Sequence, residues 1–437
     1  MSSTDPTTEE TLLKHKEFLL GAVANYYADP LVLTDGDGLR VTDREGRTYL
    51  DFFGGILTVS LGQCNEHVNS AVKAQLDRIG HVSTLYPTLP IVELAERMAR
   101  ITPGRLQKSM FTASGTEADE TAVGLAQVYT GSTELIALRH GYSGRSLLAQ
   151  SLTGHSQWRA IPTQVAGIKH AHAPYCYRCP LKLTYPSCEV ACATDIEELI
   201  QTTTTGNIAG FLAEPILGVG GFVVPPPEYF AIAVDIVRKY GGVFICDEVQ
   251  TGFGRTGGKM FGIEHWGVEP DVMTMAKGVA NGMPLGVTIA TPEIADAFQA
   301  LSLSTFGGNP ISSAAANATL QVIEDNNLAA NAEVQGLRLQ NGLRELQRKH
   351  PKHLGDVRGM GLMQAIEFVA DEPNGDRTPN PACTGLVFEA AKEAGLLVGK
   401  GGLYGNVLRI SPALTVTSDE IDEALLILAQ ACAQIPA

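Results

Sequence analysis

Short apolar runs recur through the middle of the chain, each stopped by glycine, proline or a charged residue. They fall at 109–112, 135–138, 208–213, 243–246, 272–275 and 287–290. Runs of this length, rich in Val, Ile and Phe, suit strands buried on both faces. They alternate with helical stretches, which predicts an α/β fold with a largely parallel sheet and helices on both sides. Upstream, residues 1 to about 8 read as a frayed tail. Leu12, Leu13, Phe18, Leu19 and Val23 then recur at near-helical spacing, predicting an amphipathic helix over 9–27. Segments 31–33, 39–41 and 49–52, with turns at 35–38 (DGDG) and at DREG, read as a small antiparallel meander. Helices are expected at 66–80 and 91–101, and again from 311 to 350. The carboxyl-terminal third reads as strand 361–368, helix 382–395, strands 396–398 and 408–411, and a helix from 418. This pattern predicts a large domain at 61–315 and a smaller α/β domain built from both chain ends, 1–60 and 316–437. No internal repeat is visible.

A chain of 437 residues is too long for one ordinary core, which agrees with two lobes. Its formal charge of −15 argues against nucleic acid or an anionic membrane surface as partner. The first ten residues are polar and acidic, lacking the features of a signal or transit peptide. No uninterrupted apolar run reaches membrane-spanning length. A soluble cytoplasmic protein is therefore the expectation.

Two of the apolar runs carry the chemistry. One ends at Asp247 and another leads into Lys277, both at strand carboxyl ends, where open α/β sheets bind ligands. A buried acid and a buried amine each cost free energy unless something pairs with them. Pyridoxal phosphate fits both: Lys277 forms a Schiff base with its aldehyde, and Asp247 keeps the pyridinium nitrogen protonated. Ser114-Gly115-Thr116-Glu117-Ala118 follows a strand and opens a helix. It fits a plain capping box, or an anion site at a helix amino terminus. It lacks the lysine of a P-loop, and no G-x-G-x-x-G follows any strand, so a nucleotide-binding protein is disfavoured. Arg409 lies in a short apolar strand and needs a carboxylate partner, internal or from a ligand. No metal enters this catalytic reading.

The motifs DEVQTGFGRTG (247–257), AKG around Lys277 and TFGGNP (305–310) resemble the class III, or omega-type, pyridoxal-phosphate aminotransferases. The similarity runs from about Leu33 to Leu414. The DVRGMGLM segment (356–363) looks most like the alanine–glyoxylate aminotransferase branch. The resemblance implies fold type I and a set of roles. Ser114, Gly115 and Thr116 would hold the cofactor phosphate, and Tyr142 would stack on the ring with Gly141 letting the backbone approach. Val249 would cover the other ring face, and Gln250 would meet the ring hydroxyl. Glu214 would stand on the substrate side, and Arg409 would bind the substrate carboxylate. Phe53 and Tyr86 would line the pocket. Thr305 would reach the phosphate of a neighbouring subunit, making a homodimer or dimer of dimers. The implied reaction moves an amino group from alanine or a beta-amino acid to a 2-oxo acid such as glyoxylate or pyruvate. A rival within the cofactor class is a phospho-lyase of amino-alcohol phosphates, or an aminomutase.

Cys176, Cys179, Cys188 and Cys192 give C-x2-C-x8-C-x3-C, preceded by His170 and His172. The spacing fits two disulfides, a small zinc site or free thiols, and the sequence leaves the choice open. Cys64, Cys246, Cys383 and Cys432 read as core or helix-face residues.

Overall fold

In a computed structural model the described residues are 6–23 and 25–436. Residues 1–5 of the expected tail and Ala24 of the expected first helix lie outside them. That helix spans only Thr8–Phe18, opened by a reciprocal Thr7–Glu10 capping box. It stops nine residues earlier than expected, because Leu19 turns extended and no residue of the helix is buried. Periodicity without a partner surface does not propagate a helix.

A seven-stranded sheet forms the centre, in the order Lys108–Thr112, Gly286–Ala290, Val272–Met275, Val243–Asp247, Gly210–Ala213, Leu135–Leu138 and Ile168–Ala171. Gly286–Ala290 runs antiparallel to both its neighbours; the other pairings are parallel. Every residue of Val243–Asp247 is buried, which is why that run reads as continuous rather than alternating. Phe244 lies in a column of rings, 5.9 Å from Phe211 and 5.7 Å from Phe230.

The amino-terminal meander pairs Leu33–Asp37, Arg40–Asp43 and Thr48–Asp51, and Leu396–Leu397 adds to it in parallel. The DGDG segment is mostly strand rather than turn. The chain reverses at Gly38, whose φ of +53° supplies the left-handed conformation. A third sheet joins Leu354–Met360, Met363–Asp371, Val407–Ile410 and Gly399–Gly401, with Asp376–Pro379 paired at the side. The strands Ile168–Ala171, Leu354–Met360 and Asp376–Pro379 are additions to the sequence reading. Their glycines and charges hide the pattern, and only pairing to a neighbour makes them strands. Cys64 also departs from expectation: it is exposed, at a φ of +51°, while Cys246, Cys383 and Cys432 are buried. Among the described residues no helix is long and apolar enough to cross a membrane.

Candidate active site

A cleft of about 390 Å³ opens at the carboxyl ends of the central strands. Ser114, Gly115, Thr116, Tyr142, Glu214, Asp247, Val249, Gln250, Lys277 and Arg409 all line it. Those from 114 to 277 are gathered because the central strands deliver their following residues to one edge, while Arg409 comes in from the strand Val407–Ile410 of the third sheet.

The floor is built by close backbone approaches. Ser114 caps the helix Gly115–Thr130, its Oγ accepting from Glu117 N at 3.3 Å. The expected capping box is incomplete, since the Glu117 carboxylate accepts from Ala113 N at 2.6 Å instead. A side chain at Gly115 would meet Val249 at 3.2 Å, and one at Gly144 would collide with Thr116. Arg145 N donates to Thr116 Oγ1 at 3.3 Å, tying the two loops together. The result is a glycine-lined pocket at a helix amino terminus, where N–H groups and the helix dipole favour an anion.

Above this floor stands an excess of buried acid. Asp247 Oδ1 accepts from Val249 N at 2.9 Å; Glu214 accepts from Tyr142 N at 3.1 Å and from Gly218 N at 2.8 Å. Asp119, on the buried face of the helix, accepts from Thr274 Oγ1 at 2.7 Å. Burial pushes the Asp247 carboxyl up to about 6. Burial and then the Asp247 charge push Glu214 up to about 8 and Asp119 well above the usual range. Lys277, in a left-handed conformation at φ +45°, is pushed down by burial against the pull of Asp247 and Glu214. Three acids share one amine, so the cleft is complementary to additional positive charge near Asp247.

Arg409 is buried. Its Nε donates to Lys400 O at 3.0 Å, and its guanidinium lies 5.0 Å from the Phe53 ring and 5.7 Å from the Phe222 ring. Among the described residues it makes no ion pair, so the internal salt bridge considered from sequence is not formed. Tyr26, stacked on Phe53 at 5.7 Å, packs beside it. Gln250 Oε1 is buried and has no hydrogen-bond partner.

Four sequence candidates stand outside the cleft lining. Gly141 packs behind it, under Leu138 O and Glu214. Phe53 reaches it only through Arg409. Tyr86 is exposed, and Thr305 lines a separate outer groove with Glu117, Glu120 and Phe306. Both belong to surface segments that their own chain does not fold over the cleft. The sequence reading missed Asp119 and Trp158. Asp119 had a signal, a charged residue on the alanine-rich buried stripe of its helix. Trp158, 5.6 Å edge-on to Tyr142, had none.

Residues 22–432 match the family model for class-III aminotransferases. The chain belongs to that family. It is 43% identical over 420 residues to the mitochondrial alanine–glyoxylate aminotransferase 2 homolog 2 of Arabidopsis thaliana, covering 96% of this chain and 86% of that protein. It is 36% identical over 440 residues to the human mitochondrial alanine–glyoxylate aminotransferase 2, covering 96% and 85%. Among solved structures, a PLP-bound amine transaminase from an uncultivated Pseudomonas species superposes with a TM-score of 0.89 at 32% identity, covering 95% and 98%. This class III aminotransferase is a fold type I enzyme that uses pyridoxal phosphate to transfer amino groups, and the lyase alternative is not favoured. The cytoplasmic expectation is corrected by the same comparisons, because the two curated relatives are named as mitochondrial. The missing transit features were therefore no guide to compartment.

The cleft fits that cofactor on its own chemistry. It offers an anion pocket at a helix end, an acid in need of a cationic ring, a buried acceptor without a donor at Gln250, and a single amine.

Proposed function

We infer that this aminotransferase takes its amino group from a donor bearing a carboxylate, of the alanine or beta-amino acid kind. It passes the group to a small 2-oxo acid such as glyoxylate or pyruvate in a ping-pong cycle. The observation that carries the reading is Arg409, the sole guanidinium lining the cleft among the described residues, buried and without a protein carboxylate. A buried cation in that state is stabilised by an incoming carboxylate, held bidentately. The names of the plant and human relatives support the same substrate pair.

Bound pyridoxal phosphate supplies an electron-withdrawing ring that stabilises negative charge on the carbon beside the substrate nitrogen. Gly115 and Thr116 N–H groups, with the Ser114 cap, would hold its phosphate. Tyr142 and Val249 would enclose the ring, and Asp247 would keep its nitrogen protonated. Gln250 Oε1 would accept from the ring hydroxyl. Lys277 Nζ, its basicity lowered by burial, would take the proton from the substrate carbon and return it to the cofactor carbon on the other side of the nitrogen. Glu214, whose carboxyl is raised to about 8, would give up its proton and pair as a carboxylate with Arg409 when no second substrate carboxylate is present.

Completion of the site by a second copy of the chain belongs to the same proposal. Leu301, Leu303, Phe306, Leu85, Tyr86 and Leu89 are exposed apolar side chains, and His81 lies 5.4 Å from Phe306, joining the two segments. A patch of this kind marks an interface, and Thr305 on it would reach the neighbouring phosphate.

The deciding measurement is donor discrimination in Arg409→Leu. Losing charge-assisted hydrogen bonds of about 1.5–3 kcal/mol should cost roughly 10- to 150-fold in kcat/KM for L-alanine or beta-alanine. A primary amine without a carboxylate should be nearly unaffected. An equal loss for both donors would remove Arg409 from the substrate site.

A further inference from the structure

Asp119 is the one acid in the cleft that the chemistry above leaves without a task. It lies on the buried face of the helix Gly115–Thr130, is 1% exposed, and lines the same cleft as Asp247. Thr274 brings the two together. In the parallel pairing of Val243–Asp247 with Val272–Met275, Thr274 stands in register with Asp247. Register partners show their side chains on one face of the sheet. The Thr274 hydroxyl donates to Asp119 Oδ1 at 2.7 Å, so the helix sets its acid down on the face that carries Asp247.

Charge counting decides the state of Asp119. The cleft lining holds the acids Asp119, Glu214 and Asp247, against the cations Lys277 and Arg409. With pyridoxal phosphate bound, Lys277 joins the cofactor and the ring nitrogen answers Asp247. Glu214, whose charge acts on Arg409, either pairs with it or keeps its own proton. Asp119 is left with no cation, and neighbouring buried carboxylates do not both ionise. Burial and then the Asp247 charge raise its carboxyl well above the usual range, with Glu214 adding to them and the Thr274 bond and Lys277 opposing.

We propose that Asp119 is a positioning residue that keeps a proton and donates it, as a hydrogen bond, to the carboxylate of Asp247. The proton is taken from solvent on folding and stays on Asp119 through turnover, so no covalent step is added. Asp247 already accepts from Val249 N at 2.9 Å; Asp119 supplies a second donor. Donors to a carboxylate stabilise its charged form. Asp247 therefore leaves the proton it shares with the ring on the ring nitrogen, where it keeps the ring electron-withdrawing. Without that donor, an Asp247 already raised by burial to about 6 competes for the proton. The inference rests on Asp247 facing the ring nitrogen, as in the proposed function, and the test separates the two.

The test uses the full-length protein reconstituted with pyridoxal phosphate isotopically labelled at the ring nitrogen, and reads the protonation of that nitrogen by magnetic resonance. Asp119→Asn keeps a donor for Asp247 and an acceptor for Thr274; Asp119→Ala keeps neither. Parent and Asp119→Asn should show a protonated ring nitrogen near neutral pH. In Asp119→Ala the signal should move toward the unprotonated position. Affinity of that apoprotein for the cofactor, followed by quenching of tryptophan fluorescence, should fall roughly 10- to 150-fold. An infrared difference spectrum, parent minus Asp119→Asn, should contain the carbonyl stretch of a protonated carboxylic acid. A merely structural role would lower the unfolding midpoint of Asp119→Ala without moving the nitrogen signal. If Asp119→Ala does not fold, the infrared band and the nitrogen signal of Asp119→Asn decide. Three results overturn the proposal: no such infrared band, Asp119→Asn as damaging as Asp119→Ala (the mark of an ionised Asp119), or parental nitrogen signal and affinity in Asp119→Ala. A ring nitrogen that stays protonated in Asp247→Asn would instead overturn the placement of Asp247 on which the inference rests.

Discussion

At the scale of the residue, the cleft is a charge imbalance. Asp119, Glu214 and Asp247 crowd one amine; burial holds each toward its neutral form, and the Asp247 charge adds to that at Asp119 and Glu214. Lys277 is the group whose removal is most informative, because both proton transfers are proposed to run through one nitrogen. Lys277→Ala should lose roughly 10²–10⁴-fold of the half-reaction with L-alanine, followed by the cofactor absorbance in single turnover. Retention of the wild-type rate would remove Lys277 from the chemistry. Most of these residues were legible as motifs ending apolar runs. Asp119 ends no apolar run; its one signal was its place on the alanine-rich stripe of its helix, which only its buried neighbours turn into a site.

At the scale of the element, glycines and loops set the site, and a buried ion cluster sets the strand behind it. Glu248 shows the first: fully buried, it accepts from Gly262 N at 2.9 Å, Ile263 N at 2.7 Å and Thr251 Oγ1, fixing the loop after Asp247. Glu367 shows the second, with Arg178, Arg358 and Tyr175 converging on one carboxylate. Removing one member of a buried ion cluster leaves the others uncompensated, at about 3–5 kcal/mol. Glu367→Gln should therefore lower the unfolding free energy by that amount, read from denaturant titration, and raise KM for carboxylate donors through Arg409. A variant as stable as the parent would show that the cluster is not a clamp. Periodicity alone overran the first helix, none of whose residues is buried.

At the scale of the whole molecule, the buried acids make stability depend on pH and cofactor. Asp247, Glu248 and Glu214 have carboxyls raised to about 6, about 7 and about 8. Each binds its proton more tightly folded than unfolded. Their contribution is complete below about pH 4 and is lost as pH rises through about 6 to about 8. Lys277, lowered by burial, offsets part of that loss at the alkaline end. The apoprotein should thus have a lower urea midpoint at about pH 8 than at about pH 5, and bound cofactor should flatten the difference by supplying positive charge at Asp247. An apoprotein with no such slope would show that these carboxyls are not held protonated. The exposed apolar segments carry a second prediction: Phe306→Glu should shift the sedimentation profile toward monomer and abolish activity together. A fully active monomer would separate Thr305 from the site.

The sequence by itself determined which runs are strands buried on two faces, and that Asp247 and Lys277 stand where those strands end. Both follow from local rules: apolar run length, and the stop made by a charge or glycine. Tertiary structure decided the rest. It paired the glycine-rich strand Leu354–Met360 with Met363–Asp371, and brought residues from 114 to 409 to one cleft. It left Arg409 without a protein carboxylate, and put four cysteines around one cavity. Those outcomes depend on which surfaces meet, and contact between distant segments has no period along the chain.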